Sequence, residues 1–321
     1  MKQMNEIKEF KELLDSSEIE YTIAGSKITI TGGFLSKIRD ITSIPPNVEF
    51  NCPREVYLDQ LNNIPDGTIF NNKGDVSVSI ESIGTNVEFK NDGRLMVHIG
   101  NIDNDIEFNN TGDIELTVGN LPTDGKFHIV SCNNKGDIFW RGTVKKIRPN
   151  IKFNNEGELN ILWSNESKKI TEIGYGVEFN NKENINFSNL EYIDTDVIFN
   201  NEGYVSLSIE SIDTNVTFSN NGKVILPKLT SITNEVTFTN KGNISLPKIE
   251  KLPSGLKFNN TDAISLINIK DNNSINGVMF NNKKSVILNK DLKYVTFTMN
   301  EGKIPGIDPL RLIAILQKNN I

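Results

Sequence analysis

The acidic residues that recur along this chain are the first candidates for chemistry. Four of them, Asp75, Asp113, Asp137 and Glu158, each follow a glycine in the same local phrase. Carboxylates that meet on neighbouring coils can hold calcium or act as the acid and base of a glycosidase. Arg94 takes the equivalent place in one phrase and interrupts the row. We favour the simpler interpretation, a solvated polar edge without catalytic chemistry.

Nucleophiles and metal ligands are scarce. The chain has two cysteines, Cys52 and Cys132, and two histidines, His98 and His128. It contains no G-x-x-x-x-G-K-[ST], H-E-x-x-H, paired C-x-x-C or G-x-S-x-G phrase. We therefore expect a protein that is not an enzyme and that uses no cofactor and no metal.

The elements that must position these residues come from one internal repeat. The phrase Val-x-Phe-x-Asn-x-Gly recurs through most of the 321 residues, most often at a spacing of 19 or 20. Two stretches per repeat, V-x-L and V-x-F, alternate apolar with polar residues, which is typical of short strands with one buried face. Because about twenty residues cannot bury a core alone, the repeats must stack and share one. The Phe positions are Phe50, Phe70, Phe89, Phe108, Phe153, Phe179, Phe199, Phe218, Phe238, Phe258, Phe280 and Phe297, with Cys132 in the same position once.

Asparagine, which occurs 46 times, is the second signature of the repeat. An inward Asn two residues after each Phe can both donate and accept, so it can satisfy backbone groups at a turn. A row that binds a glycan or a metal is the functional alternative. Cys52 takes the Asn position in the first coil, and we expect it and Cys132 to be small buried core residues. The glycine four residues after Phe predicts a turn with positive φ.

The pattern predicts a mainly β repeat solenoid, either leucine-rich-repeat-like or a β-solenoid, with about 20 residues per coil. Three parts are expected: an N-terminal helix-hairpin cap at 1–40, the repeats at 41–303 and a C-terminal helical cap at 304–321. Residues 5–15 have the spacing of an amphipathic helix. Alternating segments on either side of Ala24-Gly25-Ser26 suggest a hairpin. Asp308-Pro309 is a typical helix start.

Three phrases carry a family resemblance: Val87-Glu-Phe-Lys-Asn-Asp-Gly, Val216-Thr-Phe-Ser-Asn-Asn-Gly and Leu229-Thr-Ser-Ile232. They are similar to the leucine-rich-repeat-like solenoid arrays of bacterial and phage proteins. The likeness covers roughly residues 41–300 and is specific for the repeat type. It implies a binding scaffold. The phage relatives imply an inhibitor of a bacterial defence system, such as a CRISPR nuclease.

Charge is unevenly distributed along the sequence. Residues 1–215 carry 20 basic and 34 acidic side chains, whereas residues 216–321 carry 14 basic and 7 acidic ones. Lys228 and Lys248 follow Leu-Pro one coil apart and are expected to stack. Direct nucleic-acid binding is not expected, because arginine is nearly absent there and no aromatic residues interleave with the lysines.

The repeat lengthens at two places, which marks the best candidate binding region. The step from Phe108 to Cys132 is 24 residues and the step from Phe153 to Phe179 is 26. The added residues, at 119–128 and 164–175, flank a basic coil, and insertions in repeat proteins map to one face that often binds. Alternatively, Trp140 and Trp163 are oversized core residues that force longer loops. The predicted partner-binding residues are Arg141, Lys145, Lys146, Arg148, Lys168, Lys169, Phe139 and Tyr175.

The leading hypothesis is a non-enzymatic scaffold whose lateral face binds a partner protein, either alone or within a nucleoprotein complex. A structural virion or adhesin module and a carbohydrate-active β-solenoid are the alternatives. The last would need an aromatic platform, which the outward V-x-L positions do not form. No apolar run approaches the roughly 18 residues of a membrane span, and the start MKQMNEIKEF is too charged for a signal peptide. A cytoplasmic location is therefore expected, in the host if the protein is phage-encoded.

Overall fold

The structure is a computed structural model that describes residues 2–24, 27–32, 41–51, 54–100, 105–118, 128–142, 146–147, 149–161, 171–270, 278–282 and 286–288. The chain divides into two compact units. The first unit contains residues 1–144 and 151–169, and the second contains residues 145–150 and 170–321. Each unit has a buried apolar core of its own.

The first unit contains one helix and a series of short strands, numbered here in chain order. They are α1 (Lys2–Ser16), β1 (Glu20–Ala24), β2 (Lys27–Gly32), β3 (Val48–Phe50), β4 (Val56–Leu58), β5 (Asn63–Ile64), β6 (Ile69–Phe70), β7 (Val76–Ile80), β8 (Ser82–Ile83), β9 (Val87–Asn91), β10 (Leu95–Ile99), β11 (Asp105–Asn110), β12 (Ile114–Val118), β13 (His128–Asn134), β14 (Ile138–Gly142), β16 (Lys152–Asn155) and β17 (Leu159–Ile161).

The second unit is built only from strands in its described residues. They are β15 (Lys146–Ile147), β18 (Glu172–Ile173), β19 (Glu178–Asn181), β20 (Ile185–Phe187), β21 (Tyr192–Ile193), β22 (Ile198–Asn201), β23 (Val205–Leu207), β24 (Ser211–Ile212), β25 (Thr217–Asn220), β26 (Val224–Ile225), β27 (Ser231–Ile232), β28 (Thr237–Asn240), β29 (Ile244–Ser245), β30 (Lys257–Asn260), β31 (Ile264–Leu266), β32 (Met279–Asn282) and β33 (Val286–Leu288).

Equivalent strands of successive coils pair in parallel and form three sheets in each unit. The V-x-F-x-N strands make the Phe sheet: β3, β6, β9, β11, β13 and β16 in the first unit, and β19, β22, β25, β28, β30 and β32 in the second. The V-x-L strands make the Leu sheet: β4, β7, β10, β12, β14 and β17, and then β20, β23, β26, β29, β31 and β33. A third sheet of two-residue strands contains β5 and β8 in the first unit, and β15, β18, β21, β24 and β27 in the second.

This arrangement is a β-solenoid of about 10 coils whose equivalent positions lie roughly 20 residues apart. It confirms the mainly β repeat architecture. Of the two cross-sections that the sequence leaves open, the structure has that of a β-solenoid, since equivalent short strands of successive coils pair in parallel on two sides and, in part of the chain, on a third.

The Phe residues form a stacked column inside each unit. Parallel pairing places Phe199 opposite Phe218, and Phe218 opposite Phe238. The stacked rings of successive coils lie 4.8–5.2 Å apart, centroid to centroid, and their planes are within 18° of parallel. Because parallel strands are about 4.8 Å apart, identical side chains at one position must meet in this way. The predicted inward Phe position is confirmed in the described coils, and Cys132 takes it between Phe108 and Phe153.

In eight coils a glycine stands four residues after the Phe position, and it is present for a different reason from the predicted one. Gly112 does not have positive φ, so that prediction is wrong. A Cβ atom on Gly112 would lie 2.3 Å from the carbonyl oxygen of Gly93 in the preceding coil. Positive φ instead occurs three residues before Phe, at Asn47, Gly67, Asn86, Asn150, Gly176, Asp196, Asn215, Glu235 and Gly255. Glycine is therefore favoured where two backbones touch, whereas Asn and Asp accept most of the left-handed positions.

The N-terminal segment contains the elements that its sequence predicts. Helix α1 buries Phe10 and Leu14, whereas Leu13 is exposed. Strands β1 and β2 form an antiparallel hairpin, and β2 then pairs in parallel with β3. The predicted C-terminal helix at 304–321 lies outside the described residues. The capping role and the boundaries at 40 and 303 remain predictions.

Candidate functional site

The buried Asn residues are a structural ladder. All eleven at the position two residues after Phe are buried: Asn72, Asn91, Asn110, Asn134, Asn155, Asn181, Asn201, Asn220, Asn240, Asn260 and Asn282. The Asn134 amide donates to the carbonyl oxygen of Gly136 at 2.7 Å and to Asn155 Oδ1 of the next coil at 3.2 Å. Such bonds satisfy the turn backbone, as predicted, through the Nδ2 groups of the ladder.

The row of carboxylates after the turn glycine also serves the fold. Asp75 Oδ1 accepts the backbone N–H of Arg94 at 2.8 Å. Asp113 Oδ1 accepts that of Asp137 at 3.0 Å, and Asp137 Oδ1 accepts that of Glu158 at 2.8 Å. Each carboxylate thus joins its coil to the next. Within the described residues, no three His, Cys, Asp or Glu side chains are grouped so that they could hold a metal ion.

The carboxylate ladder gives a first prediction. Replacing Asp113 and Asp137 together with Asn is expected to leave stability nearly unchanged, because an amide Oδ1 accepts the same backbone N–H. Replacing both with Ala is expected to lower the free energy of unfolding by about 1–3 kcal/mol, since two inter-coil hydrogen bonds are lost. Urea unfolding followed by circular dichroism measures both variants. Equal stability of the Asn and Ala variants would contradict the ladder role.

A second amide ladder lies on the outer side of the Phe sheet, and the sequence prediction missed it. Asn133 Nδ2 donates to Asn109 Oδ1 at 2.7 Å, and Asn154 Nδ2 donates to Asn133 Oδ1 at 2.7 Å. In the second unit Asn200 Nδ2 donates to Asn180 Oδ1 at 2.8 Å. The signal was present in the recurring Phe-Asn-Asn phrase, whose first Asn points outward and whose second points inward. Self-paired amides account for this row without a ligand.

The remaining reactive groups are held in unreactive states. Cys132 is buried, and the desolvation of its thiolate raises the pKa of the thiol to about 12. Tyr192 donates its hydroxyl hydrogen to Asp213 Oδ2 at 2.7 Å. This bond lowers the pKa of Asp213, while burial and the same bond raise the pKa of Tyr192. His98 is exposed on β10, and Cys52 lies outside the described residues.

The predicted partner-binding residues are distributed over both units. Phe139 is half-buried on β14 of the first unit, and Arg141 follows two positions later on the same strand. Lys146 starts β15 of the second unit. Tyr175, also in the second unit, is 47% exposed, and its carbonyl oxygen accepts the backbone N–H of Asn150. The other four predicted residues, Lys145, Arg148, Lys168 and Lys169, lie outside the described residues, as do 119–127 and 162–170.

The outer side of the Leu sheet differs between the two units. Strands β7, β10, β12 and β14 are each five residues long, so they present two outward positions. The equivalent second-unit strands have two or three residues. We call the outward residues of β4, β7, β10, β12 and β14 the first-unit Leu face: Tyr57, Ser77, Ser79, Met96, His98, Glu115, Thr117 and Phe139. The second-unit counterparts are Asn186, Ser206, Ile225, Ser245, Ser265 and Ile287.

The fold and these faces define a β-solenoid with one distinctive outer surface. Comparisons with protein-family models, with curated proteins and with solved structures give no match. No helix in the described part of the chain is long and apolar enough to cross a membrane. The choice among functions therefore depends on the residues themselves.

Proposed function

We propose that this protein is a non-enzymatic β-solenoid scaffold that binds a partner protein through the first-unit Leu face. The observation that supports this proposal is the contrast between repeated positions. Inward positions hold Val, Ile, Leu, Phe and Asn in nearly every coil, because stacking fixes them. The outward positions of this face change from coil to coil and include Tyr57, Met96 and Phe139.

The residue types on the face suit a protein partner. Tyr, Phe, Met and Arg are enriched in protein interfaces, whereas Ser is depleted. Arg141 lies on β14 together with Phe139, and its backbone is in register with Thr117 of the face. The second-unit Leu sheet has Asn or Ser at four of its six outward positions and Ile at the other two, so it presents no aromatic residue and no Met there. We therefore place the binding surface on the first unit.

The identity of the partner rests on the resemblance to the phage arrays. On that basis we propose that the partner belongs to a bacterial defence system, for which a CRISPR nuclease is one example, and that the protein acts in the host cytoplasm. The basic residues that the sequence predicts to bind a partner, Lys145, Lys146, Arg148, Lys168 and Lys169, would then contact that partner or a nucleic acid bound to it. The repeat type alone supports this part of the proposal.

A paired set of variants tests the binding face. We expect Met96→Ser combined with Phe139→Ser to reduce capture of the partner from a host lysate at least tenfold, because two apolar anchors are removed. The melting temperature should stay close to that of the original protein, since both side chains point outward. Ile225→Ser, at the equivalent outward position of the second unit, is the matched control and should retain capture. Full capture by the double variant would contradict the proposal.

The carbohydrate-active alternative has less support from the same positions. A sugar platform needs adjacent aromatic rings on one face. Tyr57 and Phe139 are the aromatic residues among the described outward Leu-sheet positions, and three strands separate β4 from β14. The row of carboxylates that suggested paired acid and base instead accepts backbone N–H groups.

A further inference from the structure

The size of the first-unit Leu face limits what can bind there. Five strands at 4.8–5.2 Å per coil make it roughly 20 Å long along the stacking direction. A five-residue strand is about 16 Å long, so the face covers on the order of 350 Å². A standard stable interface needs about 800 Å² on each partner. A second copy docked face to face would therefore bury too little area, whereas a single peptide segment fits.

The largest side chains of the face alternate along the stack. Tyr57, Met96 and Phe139 lie on β4, β10 and β14. Ser77 and Glu115 occupy the strands between them. Two coils separate successive large residues, which is a distance of about 10 Å. An occupant with apolar side chains every 10 Å or so can therefore contact the three large residues in turn.

An α-helix that runs along the stack has this period, and an extended strand does not. Seven helical residues rise about 10.5 Å, so apolar side chains at i and i+7 meet successive large residues of the face. Alternate residues of an extended strand recur every 6.6–6.8 Å or so and lose register within one such interval. Glu115, between Met96 and Phe139, is buried, and its carboxylate is bound by Arg94 at 2.5 Å, so its charge is compensated.

The rim of the face is acidic. The residues immediately before the five strands are Glu55, Asp75, Arg94, Asp113 and Asp137. Arg94 is engaged with Glu115, so four carboxylates dominate this side. On the opposite side Asp59 and Glu81 follow β4 and β7, and both are exposed. A row of three large side chains, Tyr57, Met96 and Phe139, with carboxylates on both sides is complementary to a helix whose apolar stripe is flanked by Lys or Arg.

We propose that the first-unit Leu face binds a basic amphipathic helix of a partner protein, with apolar residues seven apart and a contact length of about 14 residues. This inference rests on the proposed function and names the chemistry of the partner. It predicts that the partner contributes cationic side chains to the acidic rim.

A designed peptide tests the class of occupant directly. The probe is a fluorescein-labelled 16-residue peptide with Leu at heptad a and d positions and Lys at the others. Its affinity for the full-length protein is measured by fluorescence anisotropy, and its helicity by circular dichroism. Two control peptides are used, one with Glu in place of Lys and one with a central Leu replaced by Pro, which keeps the charge and breaks the helix. We expect the Lys peptide to bind and gain helicity, and each control to bind at least tenfold more weakly.

Protein variants locate the peptide. Met96→Ser with Phe139→Ser should weaken binding of the Lys peptide at least tenfold, and Ile225→Ser should leave it unchanged. Asp75→Asn with Asp113→Asn should weaken binding and reduce its salt dependence, because rim charge is removed while both Oδ1 acceptors are kept. Size-exclusion chromatography with light scattering reports whether any variant changes the oligomeric state.

Several results would overturn the helix proposal. Equal binding of the Pro peptide would mean that charge alone attracts the probe. Equal loss in Ile225→Ser would place the probe elsewhere, and a dimer lost only in the Met96/Phe139 variant would make a second copy the occupant. If the Lys peptide does not bind but the Met96/Phe139 variant still loses partner capture, the helix class is wrong and the proposed binding face survives. If capture is unaffected although the peptide binds this face, the proposed function is wrong.

Discussion

Gly222→Ala is expected to lower the free energy of unfolding by more than about 4 kcal/mol, or to prevent folding of the second unit, which is at the extreme end of single substitutions. The Cβ atom of the new residue would lie 2.3 Å from the carbonyl oxygen of Gly203 and 2.6 Å from its carbonyl carbon. Both atoms are backbone, so relief requires the two coils to move apart. That movement would disturb the hydrogen bonds and the Phe stack on either side.

Gly255→Ala is the matched control for Gly222→Ala. Gly255 has a φ of +85°, and no atom lies within 4 Å of a Cβ placed on it. Its substitution strains one residue and displaces nothing, so we expect a loss of about 1–2 kcal/mol. Urea unfolding followed by circular dichroism compares the two. Similar losses would mean that close approach of the coils is not what requires glycine at position 222.

The periodicity of the sequence predicts the stacked core well. A spacing of 19 or 20 residues and the V-x-F-x-N phrase place Phe and Asn inward, and parallel register brings like residues together. The reason for the glycine could not be predicted, because a contact between coils is a tertiary distance. The true left-handed position stayed hidden because it holds Gly, Asn, Asp or Glu in different coils. The third sheet was missed because two residues, such as Ser211–Ile212, show no alternation.

The candidate face was only partly visible in the sequence. Phe139 and Arg141 were singled out, and both lie on β14. Met96 and Tyr57 were not, because outward positions have no repeating residue type that would draw attention to them. A signal did exist: the alternation of apolar with polar residues in 76–80 and 114–118 extends over five residues rather than three. Longer alternation predicts a wider sheet, and a wider sheet has room for two outward rows.

Phe218→Ala is expected to lower the free energy of unfolding by about 3–5 kcal/mol, the usual loss for truncating a buried aromatic residue. The Phe218 ring is fully buried and stacks on the rings of Phe199 and Phe238, each at 4.9 Å. Truncation removes both contacts and leaves a gap that neighbouring rings cannot fill without breaking register. Urea unfolding followed by circular dichroism measures the loss.

Thr217→Ala separates the stacking effect from a general effect of mutating β25. Thr217 is the preceding residue on the same strand, half-buried and on the outer side. We expect the decrease in the free energy of unfolding of Thr217→Ala to stay within about 0.5 kcal/mol, as for most surface substitutions.

The effect of Phe218→Ala should be confined to nearby coils, because the Phe218 ring stacks on its two neighbours in the column. Hydrogen exchange should therefore increase most in β22, β25 and β28, because in a solenoid each coil is stabilised by the coils it touches. Uniform acceleration across the second unit would show instead that its coils unfold as one cooperative block.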